Sequence, residues 1–126
     1  DRSLSLMKLC SKDMKIFTGD DKTSLSDISD GFSGNISVTA NVAPLEMHQM
    51  CQSALEGDIE NASKLNSNLD ILHDLLFCES NPIPVKWCLH KMGLIKKGIR
   101  LPLTWMDQKF DRPLTEGLIK SGIIDE

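Results

Sequence analysis

Apolar residues recur along this chain with two different periods. From residue 44 onward the spacing is three and four, so Leu45, Met47, Met50, Cys51, Ala54 and Leu55 form one helical stripe, ended by Gly57. Asp58 stands where it can cap a second helix, along which Ile59, Ala62, Leu65, Leu69, Leu72 and Leu76 repeat the spacing. Asn81-Pro82 predicts a third helix, with Asn as N-cap and Pro at the first position, running to Gly93. Pro84 falls in its first turn, where a missing N–H costs little. After a loop through 100–103, a last helix is expected around 113–121, stopped by Gly122. Before residue 44 the pattern changes. Residues 3–12 read as the end of an amphipathic helix carrying Leu4 and Met7. Lys15-Ile16-Phe17-Thr18 is a short β-type run that stops at Gly19-Asp20-Asp21, and the β-branched run 35–39, introduced by Gly34, is a second. A short helix over 23–29, closed by Gly31, lies between them. Two strands separated by a helix favour a parallel crossover over a hairpin.

Two parallel strands do not make a sheet by themselves, because strands covered on both faces need neighbours on both edges. The order of elements, two strands and then three or more helices, therefore predicts a segment that completes a larger α/β fold. The opening residues point the same way. The chain starts without methionine inside a helical pattern already under way, and it reads as cut from something longer.

Composition narrows the function classes. The 126 residues are 40% hydrophobic and 25% charged, an ordinary globular balance. A net charge of -4, with basic residues scattered apart from the small group Lys96, Lys97 and Arg100, argues against nucleic acid as a partner. No apolar run approaches the roughly 18 residues of a membrane span, and the first residues lack the apolar core of a secretory signal. Cys10, Cys51, Cys78 and Cys88 show no C-x-x-C spacing and read as reduced thiols packed as small hydrophobes. That points to a reducing compartment, most simply the cytoplasm.

The candidate chemistry gathers at the ends of the two β-type runs, where α/β folds place ligands. Asp20 and Asp21 present adjacent carboxylates that read first as a turn capping the following helix, with a cation site or acid–base work as the alternative. Gly19 lets backbone approach a ligand closely. Ser37 and Thr39 share one side of the second run, with Ile36 and Val38 on the other, and its polar groups either line a site or satisfy loop backbone. Lys86 has no desolvating or cationic surroundings that would make it a nucleophile, and reads as a surface or ion-pairing lysine. His48, His73 and His90 lie on three helical segments without metal-binding spacing; Trp87, Trp105, Met47 and Met50 read as packing residues. No complete catalytic set, metal site or cofactor motif emerges.

Four stretches in register carry a resemblance: F-T-G-D-D at 17–21, G-N-I-S-V-T-A-N-V-A-P at 34–44, N-P-I-P-V-K-W at 81–87 and R-L-P-L at 100–103. Together they resemble the dihydrodipicolinate synthase family, and the synthase branch rather than sugar-acid lyases of the same pyruvate-dependent aldolase superfamily. The resemblance implies a (β/α)8 TIM barrel with extra C-terminal helices, assembled as a homotetramer. In the family, pyruvate is condensed with aspartate semialdehyde through a Schiff base on a lysine of the sixth strand, a step of lysine and diaminopimelate biosynthesis. This chain would supply strands seven and eight, with residues 1–57 as the last βα units and 58–126 as the C-terminal helical region. Gly19 matches a glycine whose backbone lines the pocket, and Ile36 a residue whose main chain contacts bound pyruvate. Asp20 and Ser37 are neighbours in the same motifs, and Lys86 matches a lysine outside the active site. The Schiff-base lysine and its tyrosine, threonine and arginine companions belong to an N-terminal part; this chain contains no tyrosine. Alone it is therefore expected to be inactive. The competing expectation is a free-standing, non-catalytic helical module over 44–122.

Overall fold

The helices form where the apolar stripes predict them. The described residues of this computed structural model are 2–11 and 13–125; the side chains of Arg2 and Leu4 lie outside them, as does Lys12, at the end of the first predicted helix. Six α-helices follow one another: α1 (Arg2–Leu9), α2 (Ser24–Ser29), α3 (Pro44–Leu55), α4 (Ile59–Leu75), α5 (Ile83–Lys91) and α6 (Asp111–Lys120), with single 3-10 turns at Thr39–Asn41 and Gln108–Phe110.

Local chemistry explains most of the boundaries. Gly57 adopts φ +83 and turns the chain after α3, and the Asp58 side chain then accepts the Asn61 N–H at 3.1 Å, as a capping residue should. On α3 the core face is Met47, Met50 and Ala54, all buried, whereas Leu45 is exposed. It sits two residues from Met47, about 200° around the helix, so it belongs to the opposite face. Leu55 and Ile59 are likewise exposed, so both predicted stripes are narrower than expected. α5 starts one turn-position later than expected. Asn81 makes no cap, because the Ile83 N–H already donates to Ser80 O at 2.9 Å.

The core lies between α3, α4 and α6, with α5 against one side. Leu69 and Leu72 of α4, Leu76 at its end, and Leu114 and Leu118 of α6 are fully buried together with Met50. Each such leucine contributes about 2 kcal/mol of apolar burial. α6 approaches α4 closely at Gly117, where an added Cβ would lie 2.5 Å from Leu75 Cδ1. Leu25 and Val38 pack against the same cluster, so the segments before and after Gly57 share one core. This argues against reading 44–122 as a separable bundle. The N-P-I-P-V-K and R-L-P-L stretches meet along one hollow lined by Pro82, Lys86, Arg100 and Leu103, away from the β-type runs.

The expected pair of full strands, read as strands seven and eight, is not seen as such. Among the described residues the only β pairing is a single parallel bridge, Thr18 to Asn35. Three backbone bonds carry it: Ser33 N–H to Ile16 O at 2.7 Å, Thr18 N–H to Gly34 O at 3.0 Å and Ile36 N–H to Thr18 O at 2.9 Å. The parallel direction agrees with the crossover reasoning, but the pairing is short for two reasons. Neither run has a partner on its outer edge, and the second ends early. Val38 has φ -76, ψ -45, so the backbone has already turned toward the 3-10 segment that starts at Thr39.

Candidate functional site

The bridge brings the two chemically marked loops side by side. Pairing Thr18 with Asn35 places their successors, Gly19 and Ile36, next to each other at the same end. Because side chains alternate, Phe17, Gly19 and Ile36 share one face, and Thr18 and Asn35 the other. The two faces differ sharply. Thr18 is buried, its hydroxyl donating to Asp27 Oδ2 at 2.7 Å, while Ile36 is 74% exposed and Phe17 51%. Gly19 is exposed, and an added Cβ there would meet nothing within 4 Å. Neither packing within the chain nor a left-handed φ requires a glycine at that position.

Behind this open face lies a buried polar knot. Asp21, 1% exposed, accepts the Asn35 Nδ2–H at Oδ1 (2.7 Å) and the N–H groups of Val38 and Thr39 at Oδ2 (3.0 and 2.8 Å). One carboxylate thus ties the loop after the first run to three residues of the second, on both sides of Ile36 and Ser37. The Thr39 hydroxyl in turn shares a hydrogen bond of 2.9 Å with His73 Nδ1 on α4. The adjacent Asp20 behaves differently: it is exposed, and its Oδ1 accepts the Lys22 N–H at 3.0 Å in an Asx turn. Lys22 then reaches across to Asp70 (2.9 Å) and Asp74 (2.7 Å) of α4, which raises its pKa. Neither Asp caps α2 through its carboxylate. Ser37 Oγ accepts the Ala40 N–H at 2.8 Å and so supports the loop backbone.

Sequence reasoning pointed at Gly19, Asp20, Ser37 and Ile36, and the fold brings all four to one end of the bridge. It missed the buried partnership of Asp21 with Thr39 and His73. Nothing in local spacing marks it, since His73 lies on a helix 34 residues beyond Thr39. Of the other sequence candidates, Lys86 lines the separate hollow and His90 is exposed, whereas His48, also exposed, lines a hollow together with Phe17, Asn35 and Ser37. The four cysteines are free thiols, with burial pushing Cys88 up to about 12. Among the described residues no cluster of three or more His, Cys, Asp or Glu could hold a metal, and no helix is long and apolar enough to cross a membrane.

His73 makes stability depend on pH. Burial lowers its pKa below the ordinary 6.5; Asp21, and more weakly Asp70 and Asp74, pull the other way, and Lys22 adds to the lowering. Between the folded value and 6.5 the unfolded chain binds a proton that the folded chain does not. The stabilising contribution is therefore complete above about 6.5 and is lost as pH falls toward the folded value. Thermal melts from pH 7.5 to 5.5 should show a decline in the native protein that His73→Asn flattens; parallel declines in the two would contradict the assignment.

Comparisons with known proteins identify what the chain as a whole is similar to. The Dihydrodipicolinate synthetase family profile matches residues 1–120. The chain is 50% identical over 123 residues to 4-hydroxy-tetrahydrodipicolinate synthase of Thioalkalivibrio sulfidiphilus (strain HL-EbGR7), covering 98% of this chain and 42% of that protein. It is 48% identical over 124 residues to the synthase of Dechloromonas aromatica (strain RCB), with the same coverage. Among solved structures, the chloride-inhibited dihydrodipicolinate synthase from Acinetobacter baumannii complexed with pyruvate superposes with a TM-score of 0.94 at 47% identity, over 98% of this chain and 42% of that one. The enzyme from Aquifex aeolicus gives 0.93 at 36% identity, with the same coverage. These neighbours place the fold in the TIM-barrel superfamily. The chain spans about 42% of the length of the relatives it matches.

Proposed function

The chain belongs to the dihydrodipicolinate synthetase family, and on that premise we propose that it is the C-terminal part of a 4-hydroxy-tetrahydrodipicolinate synthase. The parent protein condenses pyruvate with aspartate semialdehyde in lysine and diaminopimelate biosynthesis, in the cytoplasm, as a homotetramer. In this reading the runs around Thr18 and Asn35 are strands seven and eight of the barrel. Residues 1–57 form the last βα units, and 58–126 the C-terminal helical region.

The observation that carries this reading is the two-faced bridge. On one side Thr18 is buried and Asn35 half-buried, both bonded to the chain's own carboxylates, whereas the Phe17, Gly19 and Ile36 side is open. A barrel strand needs that distribution: helices cover one face, and the barrel interior, supplied by the other strands, covers the second. Gly19, with no packing reason in the chain to be glycine, keeps the pocket floor clear. Ile36 commits its N–H to Thr18 O, which leaves its carbonyl oxygen as the main-chain group for the ligand. Asp20 and Ser37 shape the two loops at the rim.

The chemistry assigns each part a task. A lysine amine from the part of the barrel outside this chain adds to the pyruvate ketone, and with uptake of one proton water is expelled, giving a protonated imine. Loss of a methyl proton makes an enamine, whose carbon bonds to the aldehyde carbon, and the aldehyde oxygen takes up a proton. A carbonyl dipole such as that of Ile36, fixed beside the imine, stabilises its positive charge without reorganising. Gly19 allows the carboxylate to sit against backbone.

Assay of the full-length parent and of this chain alone tests the reading. The parent should consume pyruvate with aspartate semialdehyde and be trapped covalently on pyruvate by borohydride. The isolated chain should do neither. Turnover by the isolated chain, or a full-length parent inert toward pyruvate, would overturn it.

A further inference from the structure

His73 is 3% exposed, and its Nε2 is buried without a hydrogen-bond partner. Leaving a ring nitrogen unpaired inside a protein is costly, and an apolar side chain of similar size would avoid the cost. The one contact that the imidazole makes and a leucine would not is the 2.9 Å bond from Nδ1 to the Thr39 hydroxyl. Thr39 is itself fully buried, and its N–H is held by Asp21. The Ile36–Thr39 turn is thus gripped at its far end from two sides: by Asp21 from the loop after the first run, and by His73 from α4. Asn35, just before Ile36, is held by the same carboxylate. Ile36, between these anchors, has a side chain that packing within this chain does not hold.

We propose that His73 is a positioning residue for the synthase pocket: through Thr39 it sets the turn that presents the Ile36 main chain, and so couples the C-terminal helical region to substrate binding. The inference rests on the synthase reading above and adds to it a residue on α4 that does not reach the pocket face. Burial keeps the ring neutral, although the Asp21, Asp70 and Asp74 carboxylates oppose this and Lys22 reinforces it. A neutral imidazole can share one hydrogen bond with a hydroxyl in either direction.

The test uses the full-length parent and measures kcat and KM for pyruvate alongside the melting temperature. Thr39→Val, which keeps the shape and removes only the hydroxyl, should raise the pyruvate KM about 10-fold, with kcat changing less than about threefold. His73→Leu should do the same. The double variant should be no worse than either single one, because both break one bond. Thr39→Ser, which keeps the hydroxyl, should restore KM to within about twofold of the native value. A Thr39→Val enzyme with lowered melting temperature but native KM would show a merely structural contact and overturn the inference while leaving the synthase reading intact. A native parent that does not turn over pyruvate would remove both. If His73→Leu does not fold, the Thr39→Val and Thr39→Ser pair decides alone.

Discussion

Replacing Asp21 with alanine is expected to destabilise the protein by about 4 kcal/mol, more than any other single polar substitution in the chain. The carboxylate is 1% exposed and satisfies three donors at once: Asn35 Nδ2, Val38 N and Thr39 N. Alanine leaves all three facing a small cavity in a segment with little regular hydrogen bonding to fall back on. A buried donor without a partner costs about 1–3 kcal/mol, and partial entry of water reduces the sum. Asp21→Asn makes a sharper companion. Its amide oxygen can keep the two backbone donors, while its new N–H₂ faces Asn35. Asn35 Oδ1 has no partner in the present structure, so rotating that amide by 180° turns a clash of donors into a hydrogen bond. Asp21→Asn should therefore cost only about 1 kcal/mol. Melting temperatures of the two variants in the full-length protein decide the matter; equal losses would mean that the hydrogen bonds are not what holds this loop.

Leu72→Ala is expected to cost about 3 kcal/mol, or roughly 8 °C in melting temperature. Leu72 is fully buried in the cluster shared by α3, α4 and α6, and an added Cβ at Gly117 of α6 would stand 3.8 Å from Leu72 Cδ2. Truncation removes the branched end of the side chain at the point where two helices are already as close as a glycine permits. The site has little freedom to collapse, so the void persists and the loss exceeds the transfer term alone. His73 is the next residue on α4. Any shift of α4 into that void would also pull on Thr39, so on the proposed synthase reading the variant in the full-length parent should raise the pyruvate KM as well as lower the melting temperature. A loss below about 1 kcal/mol would mean that the core rearranges freely around this leucine.

These expectations share a physical theme. The open face of the bridge is held mainly from behind: the Ile36 side chain stands in solvent, and the backbone around it is fixed by one carboxylate and, through Thr39, by one imidazole. On the proposed reading such an arrangement lets a pocket floor be backbone, which would suit a substrate recognised through its carboxylate and carbonyl.

The sequence by itself determined the helices, their order and most of their ends. Those features follow from interactions within a few residues: apolar spacing on α4, the Asp58 cap and the left-handed turn at Gly57. It also placed Gly19 and Asp20 just beyond the first β-type run, Ile36 and Ser37 within the second, and pointed to a parallel pairing. The tertiary structure decided the rest. It shortened the second run to one bridge, because a carboxylate from another loop captured the N–H groups of Val38 and Thr39. It turned His73 inward, and it made Asp21 rather than its neighbour Asp20 the residue that binds the two loops together. No local pattern encodes these outcomes, because each depends on groups 14 to 34 residues apart that meet only once the helices have packed.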